Sequence, residues 1–116
     1  MSGETFVLEK NHIMVVELIY FPGCPNFPLA RERLSQAFRS LGMTPHWHQW
    51  DRNAPGVPKH TRGYGSPTIL VNGKDVTGME PSGDEVGSCR VYVDAAGIID
   101  GAPSVDVIVD ALRRLK

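Results

Sequence analysis

The stretch HIMVVELIY (12–20) runs into FPGCPN and then into FPLARERLSQAF, and this change of rhythm constrains the fold more than any other part of the chain. The first piece is nearly continuous in β-branched and apolar residues, as a buried central strand requires. The last piece places Phe27, Ala30, Leu34, Ala37, Phe38 and Leu41 at helical spacing, with Arg31, Glu32, Arg33, Gln36 and Arg39 on the other sides. Pro28 falls in the first turn, where its missing N–H costs little. Gly42 is placed to end the helix. A strand that turns straight into a helix and is followed by another strand forms a βαβ unit. Its two strands lie parallel and the helix crosses one face. Glu17 interrupts the apolar run, and a charge there needs a partner or an exposed end.

The remaining segments fit around that unit. MTPHWHQWD (43–51) alternates like a strand, with Trp47 and Gln49 on one side and His46, His48 and Trp50 on the other. Pro45 suits an edge or a first strand residue. RNAPGVPKHTRGYG is longer than an ordinary connection. In SPTILVNGKDVTG (66–78), Thr68 to Val71 read as a strand, Asn72-Gly73 as a tight hairpin turn and Lys74 to Thr77 as the return strand. Residues 79–103 are irregular apart from the strand-like SCRVYV (88–93). PSVDVIVDALRRLK closes as a helix with Ser104 as N-cap, Asp106 in the first turn and Val105, Ile108, Leu112 and Leu115 as its core stripe. Residues 1–11 are polar and expected to form a flexible N-terminal segment, leaving 12–116 as a single α/β domain in β-α-β-β-β-α order.

The chain of 116 residues suits one core. Twelve basic against 13 acidic residues give a net charge of -1, which offers no electrostatic case for nucleic acid or an anionic membrane as partner. No apolar run approaches the roughly 20 residues that span a bilayer. MSGETFVLEKNH lacks the cationic start and apolar block of a secretory signal, so the expected location is cytoplasmic. Two cysteines are too few for a disulfide scaffold. GKDVTG does not fit the phosphate-loop pattern, and no cofactor is expected. His46, His48 and His60, with Asp51 nearby, lack zinc-site spacing and read as ordinary surface.

Cys24 carries the chemistry. It stands between strand and helix, where free backbone N–H groups and the helix dipole favour an anion, and the thiolate is such an anion. Pro25 stiffens the turn. A C-x-x-C turn would have its second cysteine where Phe27 stands, so the local resolving step is missing. The other thiol is Cys89. Either it sits in a core strand, or it meets Cys24, which for a disulfide needs Cα atoms within about 7 Å. Two thiolates close together form a transient disulfide or clamp a soft metal ion. Arg90, next in the chain, either stabilises a thiolate or is simply exposed.

IYFPGCPNF resembles the active-site turn of the thioredoxin fold, and GSPTILVNG resembles that fold's second hallmark, a cis proline leading into a strand. The resemblance implies a thioredoxin-like three-layer α/β/α sandwich around a short central mixed sheet. It also implies a cis Ser66–Pro67 bond facing Cys24, with Tyr64, Ser66, Pro25 and Asn26 bordering the substrate groove. FPGCPN, ARERL, GSPTILVNGKDV, SCRVY and the PS helix start are together similar to small bacterial thioredoxin-like proteins labelled alkylmercury-lyase-like. Organomercurial lyases cleave a carbon–mercury bond with two cysteines and an aspartate. Cys24 and Cys89 match the thiol pair, whereas the position of the acid is taken by Phe27.

Three functions follow as expectations. In the first, Cys24 is the nucleophile of thiol–disulfide exchange on a protein or small-molecule substrate, beside Pro67, with Cys89 as resolving thiol. In the second, Cys24 and Cys89 hold mercury or another soft metal. In the third, the fold is a non-catalytic interaction domain with both cysteines packed.

Overall fold

β2 (His12–Tyr20) is the axis of the sheet in the computed structural model, which describes residues 5–8, 12–81, 90–94 and 96–115. Its side chains alternate, so Met14, Val16 and Leu18 are buried on one face and Ile19 on the other. β4 (Thr68–Val71) pairs antiparallel along one edge, from Val16 opposite Val71 to Ile19 opposite Thr68. β3 (His48–Asp51) lies parallel along the other edge, from Glu17 opposite His48 to Tyr20 opposite Asp51. β5 (Lys74–Asp75) continues antiparallel from β4. The strands therefore stand in the order β3–β2–β4–β5, a small mixed sheet.

α1 (Phe27–Ser40) is the crossover from β2 to β3, as its apolar stripe predicts. Its C-terminus closes with Gly42 at φ 71°, the Gly42 N–H bonding the Arg39 carbonyl and the Met43 N–H bonding that of Phe38. Those two bonds satisfy carbonyls that the helix end leaves open, and the left-handed turn they need suits glycine.

Both helices lie on one face of the sheet. Ala30, Leu34, Ala37 and Phe38 of α1 and Ile108, Ala111 and Leu112 of α2 (Val105–Leu115) form one cluster with Met14, Val16, Leu18, Ile69 and Val71. The expected three-layer sandwich is thus a two-layer α/β arrangement among the described residues. The opposite face carries a smaller cluster of Ile19, Leu70 and Tyr64 with Trp50 against it. The five-residue 3-10 helix Lys59–Gly63 lies beside this face. The loop that forms it is rich in proline and glycine, a composition unable to supply a third layer of α-helix.

Three elements differ from the sequence reading. β1 (Thr5–Leu8) pairs antiparallel with the start of β2, Thr5 opposite Val15, inside the segment expected to be flexible. It takes the first part of the edge that β3 occupies further along, residues 12–15 of β2, which β3 does not reach, and TFVL is rich enough in β-formers to do so. β3 begins at His48 and not at residue 43, because pairing on that edge starts only at Glu17. β5 stops at Asp75, whose carboxylate accepts bonds from the Thr77 N–H and hydroxyl, both at 2.7 Å, and bends the chain away.

The hairpin turn is as the Asn-Gly pair requires. Asn72 at φ 52° and Gly73 at φ 82° are both left-handed. The Asn72 side-chain carbonyl accepts from the Val15 N–H at 2.9 Å, and the Asn72 N–H bonds the Val15 carbonyl at 2.8 Å. Of SCRVYV, β6 (Tyr92–Val93) is a strand that pairs with β7 (Ile99–Asp100). Ser88 and Cys89 lie outside the described residues.

Candidate functional site

The turn after β2 is held at several points. The Cys24 N–H bonds the Phe21 carbonyl at 3.2 Å, and the Phe27 N–H bonds the Cys24 carbonyl at 3.3 Å, leading the chain into α1. Cys24 is 6% exposed, while Pro25 beside it is exposed. Phe27, in the place of a second cysteine, stacks on Tyr20 with ring centroids 4.1 Å apart, and the Arg31 guanidinium lies 5.2 Å from the centre of its ring. The aromatic side chain thus closes the turn by packing, where a thiol would have added chemistry.

The Ser66–Pro67 bond is cis, as expected, and the segment sits beside the turn. The Ser66 hydroxyl, fully buried, accepts a bond from the Phe21 N–H at 3.2 Å. Tyr92 reaches the same place from β6. Its hydroxyl donates to the Pro67 carbonyl, and it lies within electrostatic range of Cys24. Burial pushes the Tyr92 hydroxyl well above the ordinary tyrosine range, the Arg90 charge opposing this only in part.

Arg90 is not an exposed arginine. Its side chain is 9% exposed and bonds Asp75 at 2.6 Å and Thr68 at 2.9 Å, with its guanidinium carbon 4.4 Å from the centre of the Tyr92 ring. Its backbone N–H bonds the Ser66 carbonyl at 2.7 Å. The residue after Cys89 is therefore fixed to the residue before the cis proline.

Asn26 caps α1 by position but makes no side-chain cap bond. Its side chain lies instead against Gly101, where an added Cβ would fall 2.4 Å from it. Arg33 of α1 holds the same junction, bonding Asp100 at 2.8 Å and the Ala102 carbonyl at 3.1 Å.

The structure therefore joins the Cys24 turn to the Ser66–Pro67 segment through Phe21, and adds Tyr92, which bonds Pro67 within electrostatic range of Cys24, and Arg90. Tyr64 packs with Ile19 and Leu70 on the helix-free face, within electrostatic range of Asp75 and Arg90. The histidines do not converge. His48 stacks on Trp50, and His60 bonds Glu17 at 2.7 Å. No group of three metal-ligating side chains occurs among the described residues. Cys89, half of the expected thiol pair, is outside them. The partner Glu17 needs is supplied by His60 and by the Trp50 indole N–H, 3.0 Å from the same carboxylate oxygen.

Tyr92 was legible in part, because alternation in RVYV sets it opposite to Val91 and Val93, and a buried tyrosine seeks an acceptor. The Arg90–Asp75 pair joins residues in separate elements and leaves no mark on local sequence. No protein-family model, curated protein or solved structure matches the chain. No helix among the described residues is long and apolar enough to cross a membrane.

Proposed function

We propose that this is a thioredoxin-like thiol protein in which Cys24 is the nucleophile of thiol–disulfide exchange. The observation that carries the reading is the meeting of the Cys24 turn with the Ser66–Pro67 segment, tied by the Phe21–Ser66 bond and fastened from the other side by Tyr92 on Pro67. The order β3–β2–β4–β5, with one parallel and one antiparallel neighbour for β2, supports the same fold.

In the exchange, the Cys24 thiolate attacks one sulfur of a substrate disulfide. The S–S bond breaks, a mixed disulfide forms, and the other substrate sulfur leaves as a thiol. A second thiolate then attacks the Cys24 sulfur and releases the first substrate sulfur. Phe27 cannot do this, so Cys89 or an external thiol must. Anchorage of Arg90 at Ser66 favours Cys89 for the role.

The test is reaction of the folded protein with a small aromatic disulfide, followed by mass spectrometry. The parent should lose the mixed disulfide to a Cys24–Cys89 bond, Cys89→Ser should trap it on Cys24, and Cys24→Ser should form none. Stoichiometric Hg²⁺ binding that needs both cysteines, without any disulfide exchange, would replace this reading with soft-metal binding.

A further inference from the structure

On the helix-free face, remote in chemistry from the thiol, a hollow of about 550 Å³ is lined by Glu17, Lys59, His60 and Tyr64, with Gly63 and Pro81 closing one wall. That volume lies within the range of small-molecule sites. Its polar groups are ordered. The Glu17 carboxylate, 7% exposed, accepts from both the Trp50 indole and His60 Nε2 on one oxygen. Because an ionised carboxylate only accepts, Nε2 carries the proton of this contact, and in the neutral ring the other nitrogen, Nδ1, is the acceptor left to a ligand. A buried carboxylate fixing the tautomer and orientation of a half-exposed imidazole is the arrangement by which proteins aim a histidine at a bound molecule.

The other two groups set the ligand's character. Lys59, beside His60 in the chain, has neither an ion-pair nor a hydrogen-bond partner among the described residues. The Tyr64 hydroxyl is raised above the ordinary tyrosine range by burial and then by Asp75, Glu80 and Glu17, so at neutral pH it is an O–H donor. The wall thus offers an ammonium and a hydroxyl donor, which call for an anionic acceptor, and an imidazole nitrogen, which calls for a donor.

We infer that this hollow binds a small hydroxycarboxylate, its carboxylate held by Lys59 and Tyr64 and its hydroxyl donated to His60 Nδ1. The two donors on Glu17 are neutral groups and leave its charge in place, so the Lys59 ammonium supplies the positive charge that holds the ligand carboxylate against it. The site is separate from the exchange chemistry of Cys24 and needs no cysteine.

Titration with L-lactate, followed by the Trp50 indole N–H resonance, tests the inference, since Trp50 shares an oxygen of Glu17 with His60. Lactate should give a saturable shift, acetate should bind about tenfold or more weakly for want of the hydroxyl, and 2-propanol should give none. Lys59→Gln should abolish the lactate response, His60→Gln should reduce it to that of acetate, and Cys24→Ser should leave it unchanged. A dispersed indole resonance that does not move with lactate overturns the inference. So does lactate binding that survives both Lys59→Gln and His60→Gln, or that is lost in Cys24→Ser.

Discussion

Arg90 and Asp75 meet at 2.6 Å with side chains 9% and 0% exposed, an ion pair almost entirely withdrawn from water. Asp75 also caps Thr77, and Arg90 also reaches Thr68 and covers Tyr92, so the pair joins the end of the hairpin to the strand that supports the thiol site. Removing one partner leaves the other charge buried. Asp75→Asn should cost about 3–5 kcal/mol, measured as a fall in the urea midpoint. Combining it with Arg90→Met should recover a large part of that loss, because no uncompensated charge then remains. A double variant as unstable as the sum of the two single variants would show that the pair does not act as a unit.

Tyr92→Phe removes the donor to the Pro67 carbonyl and should cost about 1–3 kcal/mol, the penalty of a buried acceptor left without a partner. The same variant has a pH signature. The hydroxyl is raised in the folded state, so the stability it contributes is fully present below the unfolded value near 10 and is lost as pH rises from there toward the folded value. Denaturation across pH 9 to 11 should show the parent losing stability more steeply than Tyr92→Phe. Parallel curves would remove Tyr92 as the cause.

Asp100 titrates in the opposite sense. The Arg33 bond, opposed in part by burial and assisted by the Gly101 N–H, holds its carboxyl below the ordinary range. Its stabilisation is present above the unfolded value near 4 and is lost as pH falls through the lower folded value. With side chains 38% and 23% exposed, the pair is screened, and Asp100→Asn should cost less than about 1 kcal/mol at pH 7. The difference between parent and variant should vanish by pH 2 in acid denaturation, and should shrink in high salt.

Gly101→Ala tests how the Cys24 turn is braced. The new methyl would overlap the Asn26 side chain, 2.4 Å away, and Asn26 is two residues from Cys24. The expected cost is about 1–3 kcal/mol, together with a changed rate of Cys24 alkylation by iodoacetamide. Asn26→Ala should relieve most of both effects. An alkylation rate untouched by Gly101→Ala would separate this junction from the thiol.

The sequence displayed the parts whose determinants are local. The helical spacing from Phe27 to Phe38, the Asn72-Gly73 turn and the Ser66-Pro67 landmark can each be read within a few residues. What stayed hidden depends on residues far apart. β3 is short because Glu17 fixes where pairing starts, and β1 exists because the same strand has an edge to spare. Arg90 looks exposed until Asp75 is seen beneath it. Glu17 announces its need for a partner, but nothing near it announces His60. The two-layer build also escaped local reading, since an apolar stripe states that a helix has a buried face without stating which side of the sheet receives it.

β2 has partners along both edges for most of its length, β1 and then β3 on one side and on the other β4 with the Asn72 turn, whereas β4 is flanked on both sides only at Leu70 and Val71. The β2 amides can meet solvent deuterium only when a neighbour peels away, and over Glu17 to Ile19 either neighbour shields only one set of them. The last hydrogens to exchange in this protein should therefore belong to the middle of β2, just upstream of the turn that holds Cys24. The thiol is thus mounted on the slowest-opening part of the molecule, and its turn can flex without the foundation moving.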